Sequence, residues 1–372
     1  VQYFFRLCLA ISVTLLPLRA QSDSLSLLFI GDIMGHDTQI NAAWDSASGI
    51  YDYSRNFQYL VPIFKASDFV IANLEVTLAG KPFKGYPQFS SPDALAAAAK
   101  NAGIDIMVTA NNHSCDRGKK GILRTLKVLD KIRLGRCGTY PDSSQMATDT
   151  PYIFAANGIT LAMLNYTYGT NGLPVPAPTV VNLIDSTRIM ADVKLAREAE
   201  VDKVIVFLHW GFEYEAQPRA SQIKLAQQIL RAGADLIIGS HPHVVQKTIW
   251  QKDADQLVIY SLGNFVSNQR QPGTDGGQML RVVLKRHGDD VVIANAGYVL
   301  TWVYRPKVAG NYQFFILPAA NFYTRTDFFT HKGDHLTLMT FVNNSRKLLN
   351  KNNLNTPEYI FTNNLWQTVD KD

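Results

Sequence analysis

Seven residues of types that bind divalent metals stand at intervals along this chain, each just after a short apolar run: Asp32, His36, Glu75, Asn112, His209, His241 and His243. Carboxylate and amide oxygens with imidazole nitrogens suit Mn, Zn or Fe. A pair of such ions needs ligands from several strands, one carboxylate able to bridge, and an open face for substrate. The chemistry that fits is hydrolysis in which two divalent metal ions polarise the bond to be broken and activate water. His113, next to Asn112, is suited to a different task, the donation of a proton to a leaving group. Five of the eight histidines fall in this group, while His287, His331 and His335 stand without partners and read as structural.

Taken singly, each residue has a plainer reading. Asp32 suits a turn or a helix cap, Glu75 a loop carboxylate bonded to backbone amides, and Asn112 a left-handed turn position. His209 before Trp210 suits a core histidine, and His36 the surface. The most specific piece is His241-Pro242-His243. On an extended chain residues two apart point the same way, and Pro242 stiffens the turn between them. The joint reading rests on repetition of one pattern.

The elements that must position these residues are strands. Residues 27–30 lead into Gly31-Asp32, 68–72 into Asn73-Leu74-Glu75, and 103–110 into Asn111-Asn112-His113. Residues 203–208 lead into His209-Trp210-Gly211, and 235–240 into His241-Pro242-His243. Such apolar runs read as buried strands, and open α/β sheets bind ligands at the carboxyl ends of their strands. Helical spacing alternates with them over 57–66, 92–102, 118–133, 182–200 and 218–232, which predicts an α/β layer architecture. Ser91 is the expected cap of the second of these, with Pro92 in its first turn and Gly103 at its end.

Asn157-Gly158 marks a hairpin, so the sheet is expected to be mixed. Residues 247–268 and 278–304, rich in β-branched and aromatic types, predict a second sheet packed on the first, with a turn at 288–290. A strand over 312–317 and a polar helix over 334–350 follow, without a break in composition. Residues 81–90 and 169–178 read as loops, the former as part of a substrate rim.

With 47% hydrophobic and 18% charged residues among 372, the composition is that of a globular chain with ample core. A net charge of +5 without a basic run argues against nucleic acid as a partner. Residues 1–20 read as a secretory signal peptide, with Arg6, an apolar run over 7–18 and a small residue at Ala20. An uncleaved membrane anchor or a buried first helix is the alternative. Cleavage would remove Arg6, Arg19 and Cys8, lowering the charge to +3 and leaving Cys115 and Cys137 as a disulfide or as two buried thiols.

In combination, Gly31-Asp32, Asn73-Leu74-Glu75, Asn111-Asn112-His113, His209-Trp210-Gly211, Gly239-Ser240-His241-Pro242-His243 and Ser261-Leu262-Gly263-Asn264-Phe265 resemble the CapA-type poly-γ-glutamate capsule-synthesis family. That family is similar in turn to the calcineurin-like metallophosphoesterases. The resemblance covers residues 25–304 and implies a four-layer α/β/β/α sandwich of two mixed sheets, with a dinuclear metal site at the strand ends. It divides the chain into the signal at 1–20, a domain over 25–305 and a C-terminal extension, 306–372, packed on that domain.

Carried over residue by residue, the resemblance implies Asp32 and His243, with His36, on one ion, and Glu75 as the bridge. Asn112, His209 and His241 hold the second ion, and His113 is the general acid. Asn73, Arg117 and Asn264 are the expected substrate contacts. Two departures bear on metal identity and on the first ion's geometry: His36 follows Asp32 by four residues where phosphoesterases use two, and Glu75 replaces Asp.

The function implied is an exported, periplasmic or cell-envelope hydrolase cleaving a phosphoester or a γ-glutamyl-type bond. Its partner would be a capsule polymer or a small phosphoester. The alternative is a non-catalytic polymer-binding or scaffolding subunit of a membrane-bound poly-γ-glutamate synthesis and export complex.

Overall fold

The computed structural model describes residues 23–369, so the expected signal segment 1–20, with Cys8, lies outside the described residues. Fourteen strands build two sheets. In chain order they are Ser24–Ile33 (β1), Phe69–Leu74 (β2), Ile106–Val108 (β3), Gly135–Cys137 (β4), Tyr152–Ala156 (β5), Ile159–Thr167 (β6) and Lys203–His209 (β7). Leu236–Ser240 (β8), Thr248–Gln251 (β9), Gln256–Ile259 (β10), Asn264–Val266 (β11), Gly276–His287 (β12), Asp290–Tyr304 (β13) and Phe315–Pro318 (β14) complete the set.

The first sheet runs β14-β13-β12-β1-β2-β3-β4, with β11 also pairing β1; the second runs β9-β10-β8-β7-β6-β5. Both are mixed. β1 to β4 are parallel neighbours, whereas β12, β13 and β14 add antiparallel pairs. In the second sheet β6, β7, β8 and β10 are parallel, with β5 and β9 antiparallel at the edges.

Alternation along each strand explains why the sheets stack. In β1, Leu25, Leu27 and Phe29 face the second sheet, and Leu28 and Ile30 face helices on the outer side. In β7, Ile205 and Phe207 face the first sheet, while Val204, Val206 and Leu208 meet the helices Ser186–Glu198 and Ala220–Arg231. A strand buried on both faces reads as a continuous apolar run, as these do. Each fully buried Leu, Ile or Phe contributes about 1.5–3 kcal/mol, so the inter-sheet layer holds the two halves in one register. The four-layer α/β/β/α sandwich is therefore present.

Several sequence expectations are corrected. The strands after residue 247 do not form the second sheet by themselves. β9 and β10 extend the sheet of β6 to β8, whereas the long hairpin β12–β13 joins β1. The helix expected over 57–66 is two short ones, Ser54–Phe57 and Val61–Lys65, because Pro62 lacks an N–H and its ring would strike the carbonyl of Gln58 in a continuous helix. Pro92, not Ser91, occupies the cap of Asp93–Ala102, with extended ψ of 143°. Residues 182–185 precede the helix Ser186–Glu198, whose Asp185 cap accepts from Arg188 N. The expected strand 312–317 is interrupted, with Asn311–Tyr312 in a separate short hairpin from β14.

The hairpin at Asn157-Gly158 forms with both residues at positive φ, and Gly103 ends its helix at φ 117°. Cys115 and Cys137 are buried free thiols. The C-terminal helix Lys332–Asn352 packs through Leu338, Phe341, Val342 and Leu349 on Leu300, Trp302 and Tyr304 of β13. No helix among the described residues is long and apolar enough to cross a membrane.

Candidate metal centre

The apolar rows that face the other sheet end in polar residues where the sandwich opens. On β2 the row of Phe69 and Ile71 continues to Asn73, and on β7 the row of Ile205 and Phe207 continues to His209. The two therefore meet across the inter-sheet layer, with Asn73 Nδ2 3.2 Å from His209 Nδ1. Asp32 ends β1, Glu75 follows β2, and His241 and His243 follow β8. Close backbone packing is built in, since a Cβ on Gly31 would lie 2.0 Å from Gly263 O, and one on Gly239 2.0 Å from Tyr260 O.

Five of the seven expected ligands gather into one buried cluster. The ligand atoms of Glu75, His241 and His243 lie within 4.8 Å of one another, as do those of Asp32, Glu75 and His209. Glu75 is common to both groups, which is the arrangement a bridging carboxylate needs. It is fully buried, and neither of its oxygens has a hydrogen-bond partner. Its Oε1 faces His209 Nε2 at 3.5 Å and His243 Nε2 at 3.8 Å.

Asp32 Oδ2 lies 3.2 Å from His243 Nδ1, while the tightest groups join Asp32 and Glu75 to His209, and Glu75 to His241 and His243. His243 Nδ1 also lies 3.0 Å from Asn264 Oδ1, so Nδ1 faces two acceptors and Nε2 is left as the ligand nitrogen. His209 Nε2 lies 2.9 Å from Asn112 Oδ1, which puts that amide oxygen beside the cluster. The Ser240 hydroxyl, 3.0 Å from His209 Nδ1, suits either tautomer.

The segment carrying His241 and His243 is a bend, not the extended chain expected from the sequence. Both histidines have positive φ, 100° and 59°. Non-glycine residues held there cost of order 1–3 kcal/mol each and mark functional sites. His36 lies outside the close groups. It sits at the start of helix Asp37–Ala43 with Nδ1 on Gln39 Oε1 and Asn268 N, and its ring meets one edge of Phe89 while His113 meets Phe89 as well.

Burial fits this donor set to cations. Desolvation first, then the neighbouring Asp32 carboxylate, pushes Glu75 well above the ordinary carboxylate range. Desolvation and then neighbouring imidazoles hold His209 well below its usual value and push His241 down to about 3. His36 is pushed down to about 4, again mainly by desolvation. Neutral imidazoles and orphaned carboxylate oxygens are what a divalent cation binds, and a cation would return Glu75 to its charged form.

A pH prediction follows for the metal-free protein. The unfolded chain protonates these histidines near 6.5 and the folded chain does so only well below that, so their contribution is fully present above about pH 6.5 and lost as pH falls. Between pH 7 and 5 His241 alone removes about 2 kcal/mol, and Glu75 acts in the opposite sense. In Glu75→Gln, which lacks the opposing carboxyl, thermal melts in chelator should show a lower midpoint at pH 5 than at pH 7; a higher one would contradict the burial of neutral imidazoles.

His113 is buried, with Nδ1 2.8 Å from Asp116 Oδ2, and the same oxygen accepts from Phe89 N at 2.7 Å. Its Nδ1 occupied, His113 has only Nε2 to offer. The expected substrate contacts come out differently. Asn73 is fully buried beneath the cluster, donating from Nδ2 to Asp32 Oδ1 at 2.7 Å, and is a positioning residue. Asn264 is fully buried too, holding His243 through Oδ1 and donating to Gln269 Oε1 and Thr274 O. Arg117 precedes the helix Gly118–Lys131 and makes no hydrogen bond to the cluster.

Sequence reasoning missed the supports. Asn111 Nδ2 donates to Leu74 O at 2.8 Å, and Asn165 accepts from Ala110 N at 2.7 Å, tying the loop after β3 to the second sheet. Asp116 carried a signal, because it follows His113 by three residues; Asn165 carried none beyond being polar in an apolar strand. Tyr168 was also missed. Its half-exposed ring lies 4.5 Å from that of His241 and covers that side of the centre.

With this geometry in place, comparison with known proteins is decisive. Residues 26–269 match the family model described as bacterial capsule synthesis protein PGA_cap. The chain belongs to that family. It is 31% identical over 274 residues to the PGA biosynthesis protein CapA of Bacillus subtilis, covering 72% of this chain and 69% of that one. It is 28% identical over 288 residues to the capsule biosynthesis protein CapA of Bacillus anthracis, covering 73% and 67%. Among solved structures it is similar to the calcineurin-like phosphoesterase YfkN of Bacillus subtilis, at 13% identity and TM-score 0.46, over 87% of this chain and 98% of that one. As a PGA_cap member the chain is a capsule-biosynthesis protein of the CapA type, with candidate metal-binding groups at its strand ends.

Proposed function

We propose that this PGA_cap protein is an exported, metal-dependent hydrolase of capsule or envelope polymer metabolism, cleaving a phosphoester or a γ-glutamyl-type amide. The observation that carries the reading is Glu75, buried without a hydrogen-bond partner between two histidine-bearing groups. Asp32, His209, His241 and His243 would hold a pair of divalent ions with Glu75 between them and Asn112 Oδ1 beside His209. Bound there, the ions would supply electrophilic activation of the scissile centre and of water.

The chain's own residues do the rest. Asn73 fixes Asp32, and Asn264 fixes the tautomer of His243, so that both present their free atoms to the centre. Asp116 orients His113, whose Nε2 delivers a proton to the departing oxygen or nitrogen. Tyr168 and Phe89 restrict water around the two histidines they touch. The partner is the capsule polymer itself, reached at the envelope.

Elemental analysis of the purified protein, with turnover of phosphoesters and of γ-glutamyl oligomers measured before and after chelation, tests the reading. About two ions per chain and chelator-sensitive turnover are expected. Metal with no turnover of either substrate class would favour a polymer-binding or scaffolding role. A chain that takes up no metal would defeat both the centre and the hydrolase.

A further inference from the structure

We infer that the turn from Tyr168 to Asn171 is a clasp for one ion of the pair, holding Asn112, His209 and His241 in place so that this ion's affinity depends on it and the other's does not. The inference rests on the metal-dependent reading of the centre and adds Tyr168 and Asn171 to it as positioning residues.

The turn begins where β6 ends, and the neighbouring strand β7 ties it down. Tyr168 N donates to His209 O at 2.9 Å. The Tyr168 ring then lies 6.3 Å from that of His209, with only 11° between their planes, and tilts over His241 at 4.5 Å. Farther along, Leu173 and Val175 pack against the cluster of Ala110, Cys115, Ile122 and Leu126. Ala110 and Cys115 bracket Asn112, so this stretch crosses the mouth between the sheets, from the end of β6 to the loop after β3.

Asn171 completes the clasp. Its Oδ1 accepts from Asn112 Nδ2 at 3.3 Å and from Tyr168 Oη at 3.4 Å, two donors for an oxygen with two lone pairs. The nitrogen and oxygen of an amide diverge from one carbon. Engaging Asn112 Nδ2 therefore turns its Oδ1 towards His209 Nε2, 2.9 Å away. Without that partner the amide is free to flip and present an N–H, which repels a cation. Asn171 stands at φ 51°, a left-handed conformation that asparagine tolerates better than most residues.

The contacts are selective. Asn112, His209 and His241 are the residues that the family resemblance gives to one ion, and each touches Tyr168 or Asn171. Among the described residues no hydrogen bond or ring contact joins Tyr168 or Asn171 to Asp32 or His243, which it gives to the other. Partners that orient ligands without binding the metal account for about 10–100-fold in affinity.

Equilibrium dialysis of the full chain against graded free Mn²⁺, followed by elemental analysis, reads how many ions bind at each concentration. Asn171→Gly keeps the left-handed backbone and removes the acceptor. It should weaken one ion about 10–100-fold and leave the other unchanged. Asn171→Asp returns an oxygen to Asn112 Nδ2 and should bind both ions at least as tightly as the wild type. Tyr168→Phe keeps the ring over His241, loses only the hydroxyl, and should fall between the two. Thermal midpoints in chelator should be alike in all four proteins.

Unaltered affinity for both ions in Asn171→Gly would overturn the clasp, and so would an equal loss of both. An Asn171→Asp variant as weak as Asn171→Gly would show that the acceptor oxygen is not the cause. A lower midpoint in chelator that accounts for the lost affinity would make the turn structural only. Two ions in the wild type with indifferent variants would remove the clasp and keep the centre, whereas a wild-type chain that takes up no metal would remove both.

Discussion

Glu75→Gln is expected to empty the centre of metal while making the metal-free protein more stable. Glu75 belongs to both groups of ligand atoms, so its loss removes an anionic donor from each. Turnover should fall on the order of 10²–10³-fold or more, as when a main source of charge stabilisation is removed. The stability change has the opposite sign because the folded carboxyl is held far above its ordinary value of 4.5 by burial and by Asp32. A raised carboxyl contributes nothing unfavourable while it keeps its proton, and stability is lost as pH rises from about 4.5 through the folded value.

Gln carries no charge to desolvate. In chelator the variant should therefore match the wild type at pH 4.5 and exceed it at pH 8, by roughly 1–3 kcal/mol for a buried polar group no longer left unpaired. Melts at both pH values, with elemental analysis, measure both halves. A variant that keeps its full metal content, or that is less stable than wild type in chelator at pH 8, would refute the role given to Glu75.

His113→Asn should leave metal content unchanged and lower turnover by about 10²–10⁴-fold, the usual worth of a general acid. Asp116→Asn should follow with a smaller loss of about 10–100-fold, since its oxygen orients the ring without touching substrate. The replacement amide can still accept from Phe89 N through its oxygen, so the fold is not the cause. The useful contrast is the leaving group. A nitrophenolate departs without a proton, so both variants should be far less impaired on nitrophenyl esters than on alkyl esters. Equal losses on both would show that His113 serves binding or structure.

How much of this was legible beforehand varies by residue. Asp32, Glu75, His209, His241 and His243 were found because each follows an apolar run, and parallel strands end on the same side of a sheet. His36 followed such a run as well, yet the chain turns into a helix there and its ring is held by Gln39 and Asn268. Asn73 and Asn264 were expected at the substrate, and the structure shows both buried and hydrogen-bonded to Asp32 and to His243. Spacing shows that a polar residue ends a strand, not whether its amide meets substrate or the carboxylate beneath.

The sequence by itself determined the layers and the side of the molecule on which chemistry can occur. Continuous apolar runs bury both faces of β1, β2 and β7, and a local pattern of that kind needs no partner to be read. Only the tertiary structure decided which strands share a sheet, since residues 247–268 and 278–304 read alike as strand-forming stretches while β9 and β12 join different sheets. It also decided that His241 and His243 converge through a strained bend. Those outcomes depend on long-range packing, which leaves no periodic trace in the chain.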